Sequence, residues 1–114
     1  MFRIYHNPRC STSRKALETL QATGQTVEVV EYLHALPARA ELRALIQAAG
    51  LSVRDALRSK EPAYEALGLS DLSLSDDQLL DAIEQHPVLL NRPFVVTDKG
   101  TRLCRPFETL QEIL

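Results

Sequence analysis

Residues 6–14 read His-Asn-Pro-Arg-Cys-Ser-Thr-Ser-Arg, a polar loop that contains one cysteine. The loop follows residues 2–5, where Phe2 and Ile4 fall on one face of a predicted β-strand. Pro8 interrupts that strand, because proline has no N–H to donate to a neighbouring strand. The cysteine loop is therefore predicted to begin where the first strand ends.

A helix is predicted directly after the loop, because the apolar side chains that follow recur at helical spacing. We expect Ser11 or Thr12 to cap this helix and Gly24 to end it. A second strand is predicted over residues 26–32, which contain three valines. The first part of the chain thus has the order β-α-β.

The middle of the chain, about residues 38–86, shows helical patterns and no strand pattern. Helical segments are predicted over residues 38–49, Ser52 to Leu57, Pro62 to Leu67, and Ser75 to Gln85. Ser75 followed three residues later by Gln78 is the sequence signature of a capping box.

Beyond Pro87 the β pattern returns and predicts a hairpin followed by a last helix. The two strands are expected at residues 94–97 and 101–104, with the turn at residues 98–100 between them. The helix is expected from Pro106 onward. We therefore predict one α/β domain over residues 1–114 with a four-stranded mixed sheet. The helical middle is an insertion between the β-α-β and β-β-α halves.

The composition is that of an ordinary globular protein, with 45% apolar and 25% charged residues in 114. A net charge of −2 does not indicate a nucleic acid or a membrane as partner. The N-terminal segment has no long apolar run, and the two cysteines are widely separated. We expect a cytoplasmic monomer without a signal peptide, membrane helix or disulfide.

Cys10 is the strongest candidate for a catalytic residue. It lies just before a predicted helix, where partial positive charge and unpaired backbone amides favour a thiolate and can also receive an anion. His6, Arg9 and Arg14 could add positive charge nearby. The alternative is an inert buried thiol, because free cysteine packs well in protein cores.

Spacing excludes several familiar cysteine sites. Ser13 stands where a C-x-x-C redox pair needs its second cysteine, and Ala16 where a C-x5-R phosphatase loop needs arginine. The histidines and cysteines lack zinc-ligand spacing, and no Gly-rich phosphate loop is present, so we expect no metal or other bound cofactor. A lone nucleophilic Cys10 needs an external thiol to regenerate it, and Cys104 is expected to be a small core residue.

Three arginines are further candidates. Ten of the 13 basic residues are arginine, whose planar set of donors suits oxyanions. Arg92 precedes the predicted hairpin, Arg105 follows it, and Arg58 ends the short helix that begins near Ser52. Each alone is typical of a solvated charge, but together they could hold a multiply charged oxyanion. Spacing along the sequence cannot show whether they converge.

The loop at residues 6–14 resembles the active-site loop of the glutaredoxin-coupled arsenate reductase family, within the thioredoxin-like superfamily. Further segments resemble that family in the same order, at residues 52–58, 64–69, 86–87, 91–93 and 101–106. The resemblance covers nearly the entire chain and implies a thioredoxin-like fold.

The resemblance also implies an activity and its residues. Cys10 would attack arsenate, glutathione would act as co-substrate, and glutaredoxin would reduce the resulting mixed disulfide as arsenite is released. The oxyanion-binding residues would be Arg58, Arg92 and Arg105. Supporting positions would be His6, Ser13, Arg14 and Pro93, with the bond between Arg92 and Pro93 a candidate cis peptide.

Two other functions stay open at this point. A glutathione-linked thiol oxidoreductase of the same fold could act on another substrate, although glutathione alone has no evident need for three arginines. A non-enzymatic regulatory binding module is the other alternative. Regulators of this superfamily often carry a C-x-x-C switch, and Ser13 denies this chain that switch.

Overall fold

The computed structural model describes residues 1–114, and its four-stranded mixed sheet confirms the predicted α/β class. Strands β1 (Phe2–Tyr5) and β2 (Val27–Val30) pair in parallel. Strand β3 (Phe94–Thr97) runs antiparallel to β1 and to β4 (Gly100–Leu103), which gives the order β2-β1-β3-β4. The predicted hairpin is therefore present, and its first strand is central in the sheet.

Helix α1 (Ser11–Ala22) follows β1 as predicted, but its cap differs from the prediction. Cys10 itself is the N-cap residue, and no side chain caps the helix, so the prediction of a cap at Ser11 or Thr12 was wrong. The reason is that both of those residues already lie in the helix. Gly24 follows the helix with a φ of 80°, a left-handed conformation that favours glycine and confirms the predicted stop.

Strand β2 is shorter than the predicted 26–32. The chain leaves the sheet after Val30, and Tyr32 is completely buried in the core.

The insertion contains the predicted helical segments. Helices α2 (Arg39–Ala48), α3 (Pro62–Ala66) and α4 (Asp76–Gln85) are accompanied by 3₁₀ turns at Arg54–Ala56 and Pro87–Leu89. No helix of the protein has both the length and the apolar character needed to span a bilayer.

The last helix, Phe107–Ile113, is a 3₁₀ helix throughout. Its apolar residues Phe107, Leu110 and Ile113 recur every third position, so three residues per turn direct all of them to the same side. The spacing thus matches a 3₁₀ helix better than an α-helix, a distinction that the general prediction of a helix did not make.

The two faces of the sheet pack against two separate cores. Phe2 and Ile4 lie in the smaller core with residues of α1 and the final 3₁₀ helix, whereas Tyr5 and Phe94 lie in the larger core with the insertion. Alternation along β1 produces this division, because successive side chains point to opposite faces. The insertion therefore covers one face of the sheet, and α1 covers the other.

The capping box at the start of α4 is formed as predicted. The Ser75 hydroxyl accepts a hydrogen bond from the Gln78 amide at 3.2 Å, and the Gln78 side chain accepts one from the Ser75 amide at 2.8 Å.

We expect Ser75→Ala to lower the free energy of unfolding by about 1 kcal/mol, because a backbone donor of α4 loses its acceptor. Urea denaturation measures this change. Ser70→Ala is the matched control, since Ser70 is exposed and lies outside any helix cap. Equal effects of the two substitutions would show that the capping box contributes nothing.

Candidate active site

The loop before α1 is held by hydrogen bonds within itself. The Cys10 amide donates to the Asn7 carbonyl at 3.0 Å, and the Ser13 hydroxyl accepts from the Asn7 amide at 3.1 Å. The same hydroxyl lies 2.6 Å from Nδ1 of His6, and all four of these residues are buried. Ser13 stands where a C-x-x-C pair would have its second cysteine, and its hydrogen bonds fix the shape of the loop around Cys10.

The basic residues near Cys10 in the sequence differ in what they contribute. Burial lowers the pKa of His6 despite the nearby carboxylate of Glu31, so the ring is neutral at neutral pH. The expectation that His6 adds positive charge was therefore wrong. Arg9 is exposed, and Arg14 donates to the Pro8 carbonyl at 2.9 Å, so neither guanidinium contacts the sulfur.

The hairpin brings two of the three candidate arginines to the sulfur. Because Phe94 pairs with Leu103, the same register places Arg92 and Arg105 opposite each other at the ends of the two strands. Nη1 of Arg105 lies 3.6 Å from Sγ of Cys10 and donates to the Arg92 carbonyl at 3.1 Å. The Arg92 guanidinium also lowers the pKa of Cys10, and only 8% of this residue is exposed.

Both peptide bonds between these arginines and the prolines that follow are cis, at Arg92–Pro93 and Arg105–Pro106. The first confirms the candidate cis bond at Pro93, and the second was not predicted.

Arg58 reaches the same region from the insertion. Its amide donates to the Leu89 carbonyl at 2.8 Å, and the adjoining residue Leu57 forms a bridge with Leu90. This pairing sets Arg58 beside the segment that leads to Arg92. Arg58 does not hydrogen-bond to Cys10, and its Nε instead lies 3.2 Å from Oε1 of Glu61.

Glu61 is a site residue that the sequence analysis missed. Its Oε1 also accepts from Nη1 of Arg92 at 3.2 Å, so a single carboxylate joins two of the predicted oxyanion-binding arginines. The sequence shows Glu61 only as an acidic residue before Pro62, which is typical of a helix start. No local signal distinguishes it from the other acidic residues.

The Cys10 thiol is partly ionised at neutral pH. Burial raises the pKa of Cys10, but hydrogen bonds from the Ser13 amide, the Arg105 and Arg92 side chains and the Thr12 amide outweigh it. The resulting pKa is about 7. The helix amides and the arginines thus supply the electropositive surroundings in which a cysteine becomes a nucleophile.

The second cysteine has the opposite character. Burial raises the pKa of Cys104 to about 12, and the residue is fully buried in the smaller core. This confirms the expected packing of Cys104. The structure shows no group of three or more His, Cys, Asp or Glu side chains placed to hold a metal ion.

The chain matches the ArsC family over residues 5–113. It is 56% identical over 111 residues to the arsenate reductase of Rhizobium meliloti (strain 1021). The aligned region covers 97% of this chain and 79% of that relative. The arsenate reductase of Escherichia coli (strain K12) is 50% identical with the same coverage. A solved structure of arsenate reductase from Vibrio cholerae has a TM-score of 0.92 and 45% identity, covering 99% of this chain and 97% of that one.

The sheet and the order of the helices define a thioredoxin-like oxidoreductase, and a cysteine of lowered pKa lies directly before α1. Within that class, the chain belongs to the ArsC family. The family resemblance, the thioredoxin-like fold and the enzyme class predicted from the sequence are therefore confirmed.

We expect a neutral alkylating agent such as iodoacetamide to modify Cys10 with a rate that rises with pH through a midpoint near 7, because only the thiolate reacts. Mass spectrometry should find Cys104 unmodified in the folded protein, since its thiol is buried and protonated. A midpoint above pH 8.5 would contradict the assignment of Cys10 as an activated thiol.

Arg105→Gln should raise the pKa of Cys10 and slow its alkylation at pH 7 roughly three- to tenfold, because the guanidinium at 3.6 Å is removed. Arg9→Gln is the control, since it removes the same charge from the neighbouring exposed residue. Similar shifts in both variants would mean that net charge, rather than the Arg105 contact, ionises the sulfur.

Proposed function

We propose that this ArsC-family enzyme reduces arsenate to arsenite, with Cys10 as the nucleophile and with glutathione and glutaredoxin as reductants. The observation that carries the proposal is the contact of 3.6 Å between Nη1 of Arg105 and the Cys10 sulfur, whose pKa the surrounding donors bring to about 7. The names of the relatives at 50–56% identity support arsenate as the substrate.

The first step joins the sulfur to arsenic. The Cys10 thiolate attacks the arsenic atom, and one arsenate oxygen leaves as water after taking up protons. A thiolate that approaches a dianion is repelled, and the guanidinium groups of Arg92 and Arg105 offset this repulsion. Arg58, on the insertion side, is the third arginine of the oxyanion site. The neutral His6 ring adds no charge, so the arginines and the helix amides provide the electrostatic stabilisation.

The second step transfers electrons. Attack by a glutathione thiolate on the Cys10 sulfur breaks the sulfur–arsenic bond, and both electrons of that bond stay with arsenic, which is released as arsenite. Cys10 and glutathione then share a mixed disulfide. Cys104 is buried and its thiol stays protonated, so it is unsuited to attack this disulfide. An external dithiol such as glutaredoxin is therefore needed. We place this reaction in the cytoplasm, where glutathione keeps thiols reduced.

The test is an assay with purified protein, arsenate, glutathione and glutaredoxin that follows NADPH consumption through glutathione reductase. We expect arsenate-dependent consumption by the wild type, none by Cys10→Ser, and near wild-type rates for Cys104→Ser. Equal losses in the two cysteine variants would make Cys104 a resolving thiol. A folded, reduced wild type without an arsenate-dependent signal would favour a glutathione-linked oxidoreductase with another substrate.

Arg92→Lys should lower kcat/KM for arsenate roughly ten- to a hundredfold, because an ammonium cannot make the paired contacts of a guanidinium and each charged hydrogen bond contributes about 1.5–3 kcal/mol. Arg43→Lys is the control, since Arg43 pairs with Asp77 on the outside of the insertion. Unchanged arsenate kinetics in Arg92→Lys would remove Arg92 from the oxyanion site.

A further inference from the structure

One carboxylate oxygen lies between two of the arginines assigned to the oxyanion. Oε1 of Glu61 is 3.2 Å from Nε of Arg58 and 3.2 Å from Nη1 of Arg92. The Glu61 side chain is 16% exposed, and those of Arg58 and Arg92 are 21% and 10% exposed. Because solvent reaches this group only slightly, its charges are screened less than those of a surface ion pair.

The local backbone directs Glu61 toward the arginines. Its amide donates to the Arg58 carbonyl at 3.2 Å, which closes a turn that sets the two side chains on the same side. Glu61 is the N-cap residue of α3, a position where the short side chain of Asp, Asn, Ser or Thr commonly accepts hydrogen bonds from the helix amides. Here the side chain makes no such cap and pairs with the guanidinium groups instead.

The carboxylate leaves donors of both arginines unused. Nε of Arg58 and Nε of Arg92 are buried without a hydrogen-bond acceptor, and although Glu61 lies within ion-pair distance of the former, that N–H is not directed at it. Buried guanidinium donors are rarely left unpaired. A tetrahedral oxyanion offers several oxygens and could satisfy more of these donors than the single oxygen of Glu61 can.

We propose that Glu61 is an internal counter-ion of the oxyanion site, which pairs with Arg58 and Arg92 in the free enzyme and is displaced from them when the oxyanion binds. This rests on the proposed function, because it takes these arginines as the oxyanion ligands. Glu61 offsets part of the positive charge of these two guanidinium groups between turnovers. It also weakens oxyanion binding, because the entering ligand must replace an existing ion pair and meets a negative charge.

The proposal predicts the direction in which a substitution changes affinity. Glu61→Gln keeps the size of the side chain and an oxygen at the same place but removes the charge. Hydrogen bonds to a neutral acceptor are weaker than those to a carboxylate, so arsenate should displace the amide more easily. A residue that only shapes the arginine site would show the opposite change, with weaker binding after substitution.

Binding is measured without glutathione, so that no turnover occurs. Arsenate is titrated against the rate at which iodoacetamide alkylates Cys10, and each protein is normalised to its own rate without arsenate. We expect half-maximal protection of Glu61→Gln at an arsenate concentration at least about fivefold lower than for the wild type. In the coupled assay, KM for arsenate should fall by a similar factor.

Glu65→Gln is the matched control, because it makes the same change on an exposed residue of the same helix. It should leave protection and KM unchanged, and thermal unfolding should show that both variants are folded. Unchanged or weaker arsenate binding by Glu61→Gln, with normal wild-type turnover, overturns the counter-ion role alone. Protection in neither protein overturns both this inference and the proposed arsenate site.

Discussion

Burial of an ionised sulfur is unfavourable unless donors replace the water that is lost, and this constraint governs the arrangement around Cys10. The residue is only 8% exposed, and burial alone raises its pKa. Amides from the first turn of α1 and guanidinium groups from the hairpin reverse that effect and bring the pKa to about 7. The reactivity of the thiolate thus depends on groups from separate parts of the chain.

Each part of the fold supplies a different element of this environment. The loop after β1 supplies the sulfur and the amides, and its shape is held by Ser13 and the neutral His6. The hairpin places Nη1 of Arg105 at 3.6 Å from the Cys10 sulfur, and its register sets Arg92 opposite Arg105. The insertion supplies Arg58 and the carboxylate of Glu61 through backbone pairing with the segment before β3. The insertion therefore contributes charge to the site in addition to covering one face of the sheet.

Local features of the fold were predictable because neighbouring residues decide them. The alternation in β1, the stop at Gly24 and the capping box at Ser75 all involve residues within a few positions of one another. The cap of α1 was predicted wrongly, because Cys10 takes the N-cap position without a side-chain hydrogen bond. The charge of His6 was also predicted wrongly, because it depends on burial, which the local sequence does not specify.

The sequence by itself determined the α/β class, the order of elements and the position of Cys10 directly before the first helix, where backbone amides are unpaired. The tertiary structure alone decided which arginines act on the sulfur. Arg9 is one residue away in the chain and exposed, whereas Arg105 is 95 residues away in the chain and makes contact. It also decided the position of Glu61, because electrostatic interactions depend on distance in space and burial rather than on separation along the chain.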